Sequence, residues 1–221
     1  MKHFIFRIIS MLTGLVLFAF GIVLTIRANI GYPPWDVFHA GLANTFGLSL
    51  GTISIIVGII VLIIVMIFGE KTGIGTILNI ILIGIFLDIF MKIIPIPDNL
   101  VFSILMLIAG LFVISLSTFL YVRSAFGVGP RDNLMVVLTR KTKIPVGICR
   151  SIIELLLTII GWLLGGQVWF GTIISVIGIG FCVQITFKIL RFDITSVKHE
   201  TLLETFNALN TIRKDSQVTE D

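Results

Sequence analysis

Long uninterrupted apolar stretches dominate the chain, separated by short clusters that carry Gly, Pro, Asp and Arg. Six such stretches run at roughly Ile8–Ile26, Leu50–Gly69, Ile74–Ile94, Val101–Val122, Gly147–Gly165 and Val168–Leu190. Each supplies about the 20 mostly apolar residues that a helix needs to cross the hydrocarbon core of a bilayer. Spans of a membrane β-barrel would be shorter and would alternate apolar with polar positions, a pattern the chain does not show. The stretches therefore predict transmembrane helices. Two shorter segments, Pro34–Phe46 and Pro130–Lys141, each open on a proline, whose missing N–H needs no partner in a first helical turn. In the first of them Trp35, Phe38, Leu42 and Phe46 share one helical face, with Asp36, His39 and Asn44 off it. A helix of about 13 residues reaches only roughly 20 Å, so these segments should lie at the interface or dip into the bilayer and return.

The polar clusters recur. Shifted by 96 residues, the two halves align without a gap, and Arg27, Gly31, Pro34 and Asp36 fall on Arg123, Gly127, Pro130 and Asp132. The same shift pairs Gly14 with Gly110, Gly51 with Gly147, Gly69 with Gly165, Gly84 with Gly180 and Lys92 with Lys188. Identities among isoleucines would mean little in so apolar a chain, whereas Arg, Asp, Pro and Gly at one offset mark an internal repeat. Each copy holds three long helices, an odd number, so the second copy should insert upside down relative to the first, as in inverted-repeat transporters. The expected fold class is an all-α integral membrane protein of six transmembrane helices in an inverted 3+3 repeat, each half with a short interfacial or re-entrant helix. Residues 1–192 form the bundle, with repeat one at about 8–94 and repeat two at about 104–190. Residues 193–221 form a polar cytoplasmic tail, in which Leu202, Leu203, Phe206 and Leu209 make an apolar stripe suited to capping the bundle, or to a lid or partner surface.

Composition agrees: the chain is 57% hydrophobic and 13% charged, with a mean hydropathy of +1.12. So few charges could not cover a soluble domain of this size without exposing large apolar patches. The net charge of +4 is explained by its placement and does not point to nucleic acid. Lys2, Arg7, Lys71, Arg123, Arg131, Arg140, Lys141, Lys143, Lys188, Arg191, Lys198, Arg213 and Lys214 fall on one side of the expected topology, leaving Arg27 and Lys92 opposite. The positive-inside rule puts that side, and both termini, in the cytoplasm. The first stretch is too long for the core of a cleavable signal and is expected to stay as an anchor. Cys149 and Cys182 form no CxxC and read as small packing residues.

The motifs Gly31-Tyr32-Pro33-Pro34-Trp35-Asp36-Val37-Phe38-His39, Gly73 to Asn79, Gly129 to Met135 and Gly161 to Gly166 resemble the YczE/YitT-type bacterial membrane protein family, with the YczE branch the closer match. The resemblance covers nearly everything except the tail and implies a multipass protein of the bacterial plasma membrane. It implies no substrate. Asn133 stands where the family pattern would favour a small residue.

Ionisable groups inside hydrocarbon are costly and mark function or pairing. Arg27 with Asp36, and Arg123 with Asp132, flank turns rich in Gly and Pro. The favoured reading is a structural pin, the acid serving the helix N-terminus and the Arg pairing with it or with lipid phosphate; a gate salt bridge or an anion site is the sharper alternative. Arg150 and Glu154, four apart on one face, can pair, and their counterparts Ser54 and Gly58 carry no charge. Asp88 lies four before Lys92 and is matched by Gln184. These acids either neutralise themselves in pairs or serve as proton- or cation-coupling carboxylates, which makes Asp88, Glu154 and Arg150 the candidate coupling and pathway residues. Gly75-Thr76 and Gly171-Thr172, with Asn79 and Ser175 one turn on, suit close helix packing, or solute lining by Thr76, Asn79, Thr172 and Gln184. Gly161 and Gly165 have contact spacing, and Trp162 and Trp169 suit the bilayer interface. His39 has no spaced ligand partners, so no metal site is expected, and no cofactor. No triad, Walker loop or redox motif appears, so an enzyme is not expected. The expectation is a secondary transporter or exporter of a small solute or ion, in contact with the lipid bilayer and plausible as a homodimer. The alternative is a non-transporting membrane scaffold or regulatory partner of another protein.

Overall fold

The computed structural model of the chain describes residues 2–70, 72–192, 197, 199–202 and 204–206. Lys71, Lys198, Arg213 and Lys214 of the charge bias, and Leu203 and Leu209 of the tail stripe, lie outside the described residues. The described chain forms α1 (Lys2–Arg27), α2 (Pro34–Phe46), α3 (Leu50–Ile67), α4 (Ile74–Ile93), α5 (Leu100–Arg123), α6 (Pro130–Thr142), α7 (Val146–Leu163) and α8 (Phe170–Ile189). Five of these, α1, α3, α4, α5 and α8, are long and apolar enough to cross a membrane. The short α6 and the following α7, bent by 119° across a brief break, are together apolar enough to supply a sixth crossing.

Local chemistry sets the boundaries. Ser49 caps α3 by accepting from the Thr52 N–H, and Asn99 caps α5 by accepting from Phe102. Prolines occupy the first turns of both short helices. The short helices end in left-handed residues, Gly47 at φ 66° and Lys143 at φ 59°. Helices α6, α7 and α8 begin and end 96 residues after α2, α3 and α4, and α5 ends 96 residues after α1. Left-handed backbone recurs at the same interval, Asn29, Gly31, Gly47 and Gly69 matching Ala125, Gly127, Lys143 and Gly165.

At the centre α1 and α5, counterparts of one another, run antiparallel in backbone contact. Gly14 lies against the backbone at Ser117 and Tyr121, and Gly21 against Gly110 and Ile114. Missing side chains let two helices approach this closely, which dispersion and weak polar contacts reward where lipid removes the hydrophobic drive. Leu15, Ile22, Leu87, Val122 and Phe126 close the core around the crossing. The turns that follow α1 and α5 then cross to the other half. The Gly171 N–H donates to Ile30 O at 2.7 Å, and the Gly75 N–H donates to Phe126 O at 2.8 Å. Each short helix also rests on a long helix of the other half, α2 on α7 and α6 on α3.

At one end of the bundle the Arg7 Nε donates to Ser124 O at 2.8 Å, and the Arg7 guanidinium meets Glu200 at 2.6 Å. The Glu200 N–H donates to Ala125 O at 2.8 Å, and the Leu202 N–H to Thr72 O at 3.1 Å. The described part of the tail therefore bridges both halves. Burial lowers the proton affinity of the His199 imidazole there, opposed by the charge of Asp132.

One seam is not repeated. Gly51 of α3 and Gly84 of α4 touch so closely that a Cβ on either would collide with the partner helix. Asp88 locks this seam, accepting from the Gly51 N–H at 2.8 Å and from the Ser49 hydroxyl at 2.5 Å. The matching glycines, Gly147 of α7 and Gly180 of α8, have open space around them, and α7 and α8 make no comparable contact. The same pair of positions is thus closed in one half and open in the other. Substituting Gly51→Ala or Gly84→Ala should lower stability by about 1–3 kcal/mol through overpacking, whereas Gly147→Ala and Gly180→Ala should leave thermal unfolding in detergent unchanged. Equal losses at all four positions would contradict the asymmetry. Asp88→Asn, which weakens two charge-assisted bonds at the start of α3, should cost roughly 1–2 kcal/mol in the same measurement.

Candidate functional site

The first turns of α2 and α6, one from each half, wall a cavity of about 170 Å³ that Ile22 of α1 and Ile114 of α5 also line. Matched positions face each other across it. Arg131, the counterpart of Trp35, lays its guanidinium over the Trp35 ring at 4.8 Å from the centroid. Asn79 of α4 and Ser175 of α8, another matched pair, both line the space. Ile22, Val57, Ile83 and Ile114 make the remaining walls apolar. A concave, mostly apolar space with a few convergent polar groups is the usual form of a small-molecule site.

The charged groups differ in how well they are met. Arg150 donates from Nε to Glu154 at 2.7 Å, and this pair borders the cavity where the first half has Ser54 and Gly58. The Tyr121 hydroxyl donates to Asp132 at 3.0 Å. Asp36 and His39 both line the cavity and are 3% and 1% exposed. Their facing atoms, Oδ1 and Nδ1, stand 3.7 Å apart, and neither these nor His39 Nε2 has a hydrogen-bond partner among the described residues. Such atoms are uncommon in a folded chain and each calls for an explanation. Arg131 is within electrostatic reach of Asp36, Asp132, Tyr121 and Glu154.

The expected site residues divide between cavity and frame. Asp36, Asp132, Arg150, Glu154 and Asn79 line the cavity. Asp88 does not, and its bonds go to Ser49 and Gly51 and not to Lys92. Arg27 is turned to the Met91 carbonyl, and Arg123 lies exposed between the rings of Phe6 and Phe119. Neither arginine pairs with the aspartate nine residues on, because the turn between them carries the aspartate inward to the bundle centre. Thr76 ties down the turn after α5 by donating to Val128 O at 2.7 Å, and the Thr172 hydroxyl accepts from the Trp169 N–H at 3.3 Å. Gln184 on α8 is not among the lining residues. Sequence reasoning missed Arg131, Tyr121, Trp35 and the place of His39 in the site. A signal was available: at the 96-residue offset Arg131 falls on Trp35 and His39 on Met135, disagreements of the same kind that singled out Glu154. Among the described residues no three His, Cys, Asp or Glu side chains cluster as metal ligands would.

Residues 5–188 match a family of unknown function (DUF6198). The chain is 36% identical over 183 residues to the uncharacterized membrane protein YczE of Bacillus subtilis (strain 168), covering 82% of each chain. It is 31% identical over 182 residues to an uncharacterized protein of Haemophilus influenzae, covering 80% of this chain and 84% of that one. It is 24% identical over 167 residues to the uncharacterized protein YyaS of Bacillus subtilis (strain 168), covering 74% and 83%. No solved structure matches it. With its spanning helices and these relatives, the chain is a membrane protein and belongs to the family of unknown function DUF6198.

Proposed function

We propose that the chain is a secondary transporter of a small solute in the bacterial plasma membrane, built as an inverted 3+3 repeat with both termini in the cytoplasm. The observation that carries this reading is the cavity at the junction of the halves, walled by the starts of two short helices that come one from each half. Secondary transporters bind their solutes at repeat interfaces, where helix ends and irregular backbone line a cavity. Inversion is supported by the antiparallel run of the counterparts α1 and α5 and by the matched helix boundaries. On this reading α7 is the sixth span, its 18 residues reaching about 27 Å.

The unequal seams support alternating access. In an inverted repeat, the two sides of the membrane open in turn when the halves exchange conformations. Here α3 and α4 are closed at Gly51 and Gly84 while the equivalent glycines of α7 and α8 stand free, as two halves in opposite states would be. A scaffold that only holds a partner protein needs neither a cavity nor two states.

Cysteine accessibility tests the reading. In a background with Cys149→Ser and Cys182→Ala, Ser54→Cys and Ser175→Cys should each react with a membrane-impermeant methanethiosulfonate reagent from both faces of a proteoliposome. Labelling from neither face would mean a sealed core and would favour the scaffold. Filling the open seam with Gly147→Leu and Gly180→Leu should hold it open, confining the labelling of Ser175→Cys to one face of the membrane. Unchanged two-sided labelling in that variant would remove the seam from the mechanism.

A further inference from the structure

We propose that Asp36 and His39 are the proton-binding pair of the cavity, and that their proton is the coupling ion of the transport reading on which this inference rests. The other charged groups in the space are already occupied. Glu154 holds Arg150, Asp132 accepts from Tyr121, and Arg131 covers the Trp35 ring. Among the described residues, the buried side-chain atoms of the cavity left without a hydrogen-bond partner fall in one turn of α2: Asp36 Oδ1 and both nitrogens of His39. Away from water such atoms are costly to leave without partners. Asp36 and His39 border the cavity, so water or solute entering it can reach them.

The geometry suits a proton. At 3.7 Å the His39 Nδ1 and Asp36 Oδ1 are too far apart for a hydrogen bond, yet a small rotation of the ring closes the gap. A proton added to the imidazole lone pair gives an imidazolium beside a carboxylate, and the facing atoms then make a charge-assisted bond. No covalent bond breaks, and the proton leaves by the same route to water or to an arriving solute. The surroundings present charge and hydrogen-bonding groups from every neighbouring element: Ser54 on α3, Asn79 on α4, Tyr121 on α5, Arg131 and Asp132 on α6, Arg150 and Glu154 on α7, and Ser175 on α8.

The pair exists in one half only. In the second half the position of His39 holds Met135, and Asp132 is met by Tyr121. In the first half the position of Tyr121 holds Thr25, whose hydroxyl is spent on the Ile22 carbonyl at 2.7 Å. The first half thus lacks the tyrosine that quiets the second aspartate and has an imidazole in reach instead. One chain therefore carries one proton at this site.

The full chain has three histidines, His3, His39 and His199, so replacing His3 and His199 with Gln leaves His39 as a single reporter. Nitrogen-15 histidine NMR in lipid nanodiscs should show the His39 ring changing protonation state within the pH range over which the protein stays folded. Asp36→Asn should lower the midpoint by about one pH unit or more, since the carboxylate favours the imidazolium. Should Asp36→Asn fail to fold, Asp36→Glu, which moves the carboxylate by one methylene, should still shift the midpoint. Ring signals that stay constant over the range, or a midpoint blind to both Asp36 variants, would overturn the proposal. The cysteine labelling separates this outcome from failure of transport itself. An Asp36-sensitive titration in a protein that labels from neither face would overturn the coupling role. Two-sided labelling with an untitratable His39 would overturn the pair and leave transport standing.

Discussion

The backbone contact of α1 with α5 through Gly14, Gly21 and Gly110 is the constraint on which the rest of the molecule depends. Each helix is the counterpart of the other, so their crossing brings equivalent positions of the two halves to one place. The turns at the far ends of α1 and α5 are then carried to opposite ends of the bundle. There they dock by backbone bonds, the first at Gly171 and Gln167 around the start of α8 and the second at Gly75 of α4. Gly31 at φ 109° and Gly127 at φ 122° let those turns reverse sharply. A Cβ at either would strike Thr172 or Thr76. From the turns, the prolines start α2 and α6 inside the bundle, and the cavity is the space those two starts leave between them.

The same framework holds two different seams. Asp88 and the glycine contact make α3 and α4 one unit, whereas Gln184 stands in the acid's place on α8 and α7 leans on α2 and α6 instead. A carboxylate placed at the start of a helix is favoured by the exposed N–H groups and by the dipole, and an amide at the same position is favoured much less. Two differences, Asp88 against Gln184 and Ser49 against Pro145, thus give one half a latch that the other lacks. On the alternating-access reading, this makes the first half the stiffer member and the α7–α8 seam the one that opens more easily.

Much of the fold is legible in the sequence. Runs of about 20 apolar residues define helices whatever their neighbours do, and the gap-free offset located the short helices to within a residue, α2 ending at Phe46 and α6 at Thr142. The site was harder. Spacing along a helix predicted the Arg150–Glu154 pair because its partners are four residues apart. It suggested Asp88 with Lys92 for the same reason, yet Asp88 turned to the open N–H groups of the neighbouring helix, which no periodicity along α4 can reveal. Arg131 over Trp35 is a contact between halves nearly 100 residues apart in sequence, and only the crossing of α1 with α5 creates it. The residues that were legible are those whose partners are local.

The electrostatics of the cavity bear on what could enter it. Asp36, Asp132 and Glu154 bring three negative charges, and Arg131 and Arg150 bring two positive ones. The starts of α2 and α6 add roughly half a positive charge each. With His39 neutral these contributions nearly cancel. A near-neutral cavity in a low-dielectric surround resists any change in its total charge, because an uncompensated charge there has no water to screen it. A charged solute must therefore arrive with an equal adjustment in the walls. The walls gain a contact in making that adjustment where a titratable group is still unmet. Glu154 and Asp132 already hold Arg150 and Tyr121. His39, facing Asp36 with neither ring nitrogen hydrogen-bonded among the described residues, would gain a bond on taking up a proton.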